Sequence, residues 1–484
     1  MNIKKFLFEN IGIKQTIFKN TFWLTIAEVI TQLLKIFLII YVARVLGAEE
    51  YGKFSFALSF VCIIVIFAEL GLPDIITREF SKNKDSEKEY SSIISLKLLL
   101  SMGAFLLMFV SSFFITNEYS IRKSIWLLTG FILITSFINI FYAFFRARQR
   151  MEYEAFFKIF QYTVLTILSF IIIITIPSIE NLSHGYFISN ALILVILLIF
   201  FHFFIQPIKI HYNKNVWLKF TDFSWPLILG VSIGWIYISV SSVMLGYFGY
   251  HVENGWYSAS YKVIGATVLS ATLISRGFFP VLNIASQQSK ETIQRIWNYQ
   301  KELMIVFAFP LMVGGVVLAP KIINFFYDAS FAPSVPAFQW LTFVFAIDFL
   351  YYPYALALII FGQEKKAFLL TAIGLAINVI LNLLLISRYV LQGVLLSNLI
   401  SSAIVLVLAI FMTMKYTHIS PFNTRLYKTL LVVIISSVVM FFVINNPFIY
   451  SLNLLIVISL GVVSYFLVFY LFYLILKIKK ILKL

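Results

Sequence analysis

Cysteine occurs once in this chain, at Cys62, so neither an intrachain disulfide nor a cysteine-based zinc site can form. Charge is scarce as well. Asp, Glu, Lys and Arg make up 12% of the residues, against about a quarter in soluble domains, which rules out water as the main solvent of the fold. The sequence has no GxxxxGKS/T phosphate loop, and no stretch between its apolar runs is long enough to house a nucleotide-binding domain. An ATP-driven pump is therefore not expected. The five histidines, His184, His202, His211, His251 and His418, lack the HExxH spacing that sets two metal ligands on one helical face.

What is abundant is apolar sequence, at 61% of 484 residues. Taking about 20 mostly apolar residues per span, spans fall near 21–43, 54–72, 91–115, 122–143, 154–176, 184–206, 222–248, 255–283, 298–320, 334–361, 367–387, 390–414, 426–446 and 452–476. The predicted fold class is an all-α polytopic membrane protein with about fourteen transmembrane helices. The first apolar run is too long for a signal-peptide core and is expected to be retained.

Basic residues collect in alternate connections: Lys4, Lys5, Lys14 and Lys19; Arg78, Lys82, Lys84 and Lys88; Arg146, Arg148 and Arg150; Lys209, Lys214 and Lys219; and so on to Lys483. The opposite connections hold few, such as Arg44, Lys53 and Arg388. The positive-inside rule then puts both termini in the cytoplasm. The net charge of +16 reads as an orientation signal reinforced by anionic lipid headgroups, and no nucleic-acid partner is needed to explain it.

A half-length repeat is also visible. Leu46 to Ala57 (LGAEEYGKFSFA) resembles Gly249 to Ala259 (GYHVENGWYSA), with Gly52 matching Gly255. Phe145 to Phe156 (FRARQRMEYEAF) resembles Phe361 to Phe368 (FGQEKKAF). These segments, with YVARVLGAEEYGKFSFALSF (Tyr41 to Phe60), ELGLPDIITREFS (Glu69 to Ser81), VMLGYFGYHVENGWYSASYKV (Val243 to Val263) and FFPVLNIAS (Phe278 to Ser286), make the chain similar to the polysaccharide transporter family. These are Wzx-type flippases of lipid-linked oligosaccharides, in the superfamily that also holds drug-extruding MATE transporters and lipid II flippases. The resemblance implies two six-helix lobes, residues 1–212 and 213–418, around a lumen that opens alternately to either side, with the last two helices in 419–484 appended. It departs from the family pattern at Ser241 and Ser242, where many relatives carry an acidic residue, so an ion-coupling role for that position does not carry over.

Charged side chains inside spans cost about 2.5–3.5 kcal/mol each at the bilayer centre and so need partners, water or substrate. The first span carries Glu28, Gln32 and Lys35 at i, i+4 and i+7 on one face. Glu28 and Lys35 lie roughly 10 Å apart along the axis, too far to pair directly. The eighth span carries Ser258, Lys262, Gly265, Thr272 and Arg276 along one stripe. Lys97, Asp348 and the pair Asn378 and Asn382 complete the set.

The excess of Lys35, Lys97, Lys262 and Arg276 over Glu28 and Asp348 suits an anionic diphosphate head crossing a low-dielectric slab. The predicted substrate-binding residues are Lys35, Lys262, Lys97, Arg276, Glu28 and Gln32, with interhelical pairing or snorkelling to the interface as the competing reading. Glu28 and Asp348 are the candidates for Na+ or H+ coupling, and no cofactor is expected. The expected activity is translocation of a polyprenyl-diphosphate-linked oligosaccharide across the cytoplasmic membrane for cell-surface polysaccharide assembly, beside other glycan-assembly membrane proteins and without enzymatic chemistry. The rivals are a small-molecule or drug antiporter of the same superfamily, a non-transporting scaffold, and a membrane-embedded glycan polymerase or ligase, which needs a sizeable outer loop this chain lacks.

Overall fold

The computed structural model describes residues 3–69, 71–82, 89–205, 207, 211–417 and 419–481. Lys84, Lys88, Lys209, His418 and Lys483 lie outside the described residues. Among the described residues every regular element is helical: α1 (Ile3–Phe8), α2 (Ile13–Glu69), α3 (Leu72–Lys82), α4 (Tyr90–Ile115), α5 (Tyr119–Ala147), α6 (Met151–Thr175), α7 (Ile179–Phe204), α8 (Lys214–Tyr247), α9 (His251–Gly265), α10 (Val268–Ser286), α11 (Lys290–Phe326), α12 (Ser334–Ile360), α13 (Glu364–Thr417), α14 (Thr424–Ile444), α15 (Pro447–Ser451) and α16 (Leu454–Ile481).

Side chains preceding the helices fix several starts. Ser178, Asn213, Ser289 and Asn423 each accept from a backbone N–H of the first turn of α7, α8, α11 and α14, satisfying donors the helix itself cannot. Among the described residues ten helices are long and apolar enough to cross a membrane, or eleven when the bent pair of α9 and α10 is taken as one. Two of the ten, of 52 and 54 residues, would measure roughly 80 Å if straight, against a hydrocarbon core of about 30 Å. Each therefore makes two passes.

The turning points are single residues, Gly47 (φ 72°) in α2 and Val390 (φ 46°) in α13. At the second of these the chain is so tight that a Cβ on Gly393 would lie 2.6 Å from the Leu385 carbonyl oxygen. The sequence predicts two helices at each place, and they are present, joined with almost no loop. One expectation is corrected. The eighth span is not one helix but α9 and α10, bent by 41° after Gly265, so the stripe from Ser258 to Arg276 does not run continuously. Glycine supports a helix interior poorly, and α9 ends on one.

The chain divides into two compact units, Met1–Gly255 and Trp256–Leu484. In the first, α2 packs along α4, α5, α6 and α8, and α5 along α3 and α7. Its core is aromatic: Phe80, Tyr90, Phe141, Phe144, Phe145 and Phe201 are buried together. In the second, α12 lies between α11 and α13, and α14 packs on α11 and α16. Trp297, Tyr354, Leu358 and Leu370 form one core there, and Val433, Met440, Ile444, Val457 and Tyr465 another.

The matched glycines of the repeat meet within the first unit. A Cβ on Gly52 would lie 1.7 Å from the His251 carbonyl oxygen, and one on Gly255 would lie 1.9 Å from that of Ala48. Each glycine thus admits the backbone one turn before the other. Asn254 Nδ2 donates to the Gly52 carbonyl at 2.8 Å and holds this crossing.

Candidate functional site

The first unit gathers its buried charge where α2 runs beside α6. Lys19 Nζ contacts Glu152 Oε2 at 2.9 Å with both side chains buried, and it also donates to Asn10 Oδ1 at 2.6 Å and the Gln149 carbonyl at 3.1 Å. Further along both helices, Lys158 Nζ contacts Glu28 Oε2 at 2.7 Å. Beyond that, Lys35 Nζ lies over the Tyr162 ring, 4.3 Å from its centroid. The three contacts follow the same order on α2 and α6, so the two helices run parallel. Gln32 stands one turn after Glu28 on the same face.

The partners that Glu28 and Lys35 require are therefore on α6. Lys158 and Tyr162 are absent from the residues singled out in the sequence, yet the signal is present: Glu154, Lys158 and Tyr162 recur at i, i+4 and i+8, one face of a helix. Glu154 is held by Arg146 Nε at 2.8 Å.

Lys97 lies apart from this face. Its fully buried ammonium donates to the Ala68 carbonyl at 2.7 Å and to Ser136 Oγ, while Asn139 Nδ2 donates to neighbouring Glu69 at 3.2 Å. Ala68 is in the last turn of α2, whose carbonyls have no helical donor. Lys97 supplies one, a use of the charge internal to the bundle.

In the second unit Lys262 and Arg276 are exposed, on α9 and α10 respectively. Asp348 Oδ1 accepts from Ser402 Oγ at 3.3 Å. Beside it runs a chain of neutral groups: Asn382 Nδ2 donates to Asn378 Oδ1 at 2.9 Å, Asn378 Nδ2 to Asn398 Oδ1 at 2.9 Å, and Asn398 Nδ2 to the Tyr257 hydroxyl at 3.3 Å. Among the described residues no group of three or more His, Cys, Asp or Glu is placed to hold a metal ion.

A profile of the family described as "Polysaccharide biosynthesis protein" matches residues 17–285. The capsular polysaccharide biosynthesis protein CapF of Staphylococcus aureus is 22% identical over 414 residues, covering 80% of this chain and 97% of that one. An uncharacterized membrane protein of Methanocaldococcus jannaschii is 24% identical over 398 residues, covering 77% and 92%. Among solved structures, the lipid II flippase MurJ in an inward closed conformation superposes with a TM-score of 0.74 at 17% identity, over 94% of this chain and 99% of that one. An inward-facing multidrug-resistance MATE transporter gives 0.63 at 12% identity, over 80% and 96%. At these identities the likeness is one of fold, an all-α transporter fold.

Proposed function

This chain belongs to the polysaccharide biosynthesis protein family, and from that premise we propose that it is a flippase carrying a polyprenyl-diphosphate-linked oligosaccharide from the cytoplasmic to the outer leaflet of the cytoplasmic membrane. The observation that carries the reading is the α2–α6 face. Lys35 and Lys158 stand inside spans, Glu28 pairs with Lys158 at 2.7 Å, and the Lys35 ammonium rests on the Tyr162 ring. Such a face keeps positive charge in a medium where an unpaired ammonium is expensive, which is of use when an anion passes. A diphosphate carries at least two negative charges, and each ammonium attracts it far more strongly in a low-dielectric slab than in water.

In this reading both termini are cytoplasmic, exposure of the polar faces alternates between the two leaflets, and the polyprenyl tail stays in lipid. No bond is made or broken. MurJ, a lipid II flippase by name, has this fold, and CapF is a capsular polysaccharide biosynthesis protein by name. Both names agree with a lipid-linked glycan as cargo.

The test is complementation of a strain lacking its flippase, with protein levels measured in the membrane fraction. Lys35→Gln and Lys262→Gln remove a charge at nearly constant length and should each cut transport at least about tenfold, the scale of one strong charged contact. Lys→Arg should keep part of the activity, since charge matters more here than fork geometry. Full complementation by both Gln variants at normal protein levels would sink the proposal.

A further inference from the structure

The carboxylates on and facing α6 differ in how they are held. Glu152 and Glu154 keep 6% and 5% of their side-chain surface exposed, closed in by Lys19 and Arg146. Glu28 keeps 47%, while the Lys158 it binds at 2.7 Å keeps 24%. The cation is thus the more covered partner and the carboxylate the more open one. The Lys19–Glu152 pair closes both partners, and in the Arg146–Glu154 pair the carboxylate is closed while Arg146 keeps 29%. Of the three carboxylates, Glu28 is the one open enough to swing off its cation into solvent, which would free Lys158 for another anion.

Lys158 and Tyr162 are one turn apart on α6, about 6 Å along the axis, and Lys35 sits over Tyr162. The α6 positions that the two ammoniums mark, Lys158 itself and the Tyr162 under Lys35, are therefore about one helical turn apart, with Glu28 on the first. A phosphate oxygen binds an ammonium through the same short charge-assisted hydrogen bonds as a carboxylate oxygen.

We infer that Glu28 is a resident counter-ion that the diphosphate headgroup displaces from Lys158, so that Lys158 and Lys35 together hold the two phosphates and the return of Glu28 to Lys158 expels them. The inference rests on the flippase reading above and gives that site a release step. Without an internal anion, a site positive enough to capture a diphosphate in a low-dielectric medium would hold it too long. Glu28 trades affinity for turnover, and Lys158 joins Lys35 as a headgroup-binding residue.

The test uses the full chain in lipid nanodiscs with undecaprenyl diphosphate as the probe, and undecaprenyl phosphate, one phosphate shorter, as the comparison. Glu28→Gln should bind undecaprenyl diphosphate about five- to tenfold tighter than the unsubstituted protein and release it more slowly, with a smaller gain for the monophosphate. The same variant should complement poorly at normal protein levels. Lys158→Gln should weaken binding about tenfold, and adding Glu28→Gln to it should change nothing further. If the unsubstituted protein binds the probe but Glu28→Gln binds it equally or less well, the exchange is wrong and the flippase reading stands. If the unsubstituted protein does not bind the probe at all, the flippase reading falls and takes the exchange with it. Should Glu28→Gln not reach the membrane, Glu28→Asp draws the carboxylate back by one methylene, and binding less than about twofold tighter in that variant overturns the proposal.

Discussion

The two units solve the same packing problem with different chemistry. Each contains a pair of adjacent helical passes joined by buried amides, Gln161 to Asn190 at 3.1 Å in the first and Asn378 to Asn398 at 2.9 Å in the second. Each chain of amides also ends at a tyrosine hydroxyl, Tyr142 or Tyr257. Among the described residues only the first adds a run of charged contacts beside its amides, from Lys19 through Glu28 to Lys35. Hydrogen bonds between neutral groups are enough to hold membrane helices together, and the second unit shows them doing so. The charges of the first unit are therefore not needed as glue throughout, and their presence asks for another use.

The comparison breaks most sharply at Lys19. Lys19→Met leaves Glu152 buried, with Arg150 Nη1 at 3.4 Å as its remaining ion pair, and removing one partner of a buried pair costs about 3–5 kcal/mol. Thermal unfolding followed by fluorescence-detected size-exclusion chromatography should show a large drop. In the second unit, Lys301 Nζ donates to the Pro421 carbonyl at 2.6 Å and lies 3.8 Å from the Trp297 ring centroid. Lys301→Met orphans a carbonyl rather than a carboxylate and should cost about 1–3 kcal/mol. Equal losses would erase the distinction between the units.

An effect smaller than that of Lys19→Met, and similar to that of Lys301→Met, is expected at Gly52, where the repeated segments touch. The Cβ of Gly52→Ala would meet the His251 carbonyl oxygen at 1.7 Å, so the backbones must separate, at about 1–3 kcal/mol for an overpacked contact. Because Gly255 makes the reciprocal contact, Gly255→Ala should cost a similar amount. Together they should cost less than the sum, since one separation relieves both. Strict additivity in the same unfolding measurement would show the two contacts to be independent.

Much of this was legible from residue spacing. The spans follow from runs of apolar residues, and even the loopless turns fall at predicted boundaries, Gly47 between two spans and Val390 at the first residue of one, because thickness of the membrane sets helix length whatever joins them. The face of Glu28, Gln32 and Lys35 is a matter of period alone. What faces it is not, since Lys158 comes close through a packing of α2 on α6 that no local pattern encodes. Lys97 shows the converse: a lysine inside a span looks alike in sequence whether it awaits a substrate or caps the end of another helix, and the difference lies in the position of the Ala68 carbonyl. The bend after Gly265 was missed because one glycine in a long apolar run is compatible with a continuous helix.

The smallest effects separate glue from function. Gln161→Leu and Asn378→Leu each remove one amide from a buried chain: Asn190 still donates to the Phe131 carbonyl at 3.3 Å and Asn398 to Tyr257 at 3.3 Å, while Tyr142 and Asn382 lose the amide they bond. Interhelical hydrogen bonds in membranes average about 0.6 kcal/mol, with about 1.7 kcal/mol at the top of the measured range. The two variants should therefore lose similar, small amounts of thermal stability, one in each unit, and once in the membrane they should complement a flippase-deficient strain as the unsubstituted protein does. Lys35→Gln should behave in the opposite way, unfolding normally and failing to transport. If Asn378→Leu instead abolishes transport while its unfolding is unchanged, the amides of the second unit contact the cargo, and the division of labour between the units is wrong.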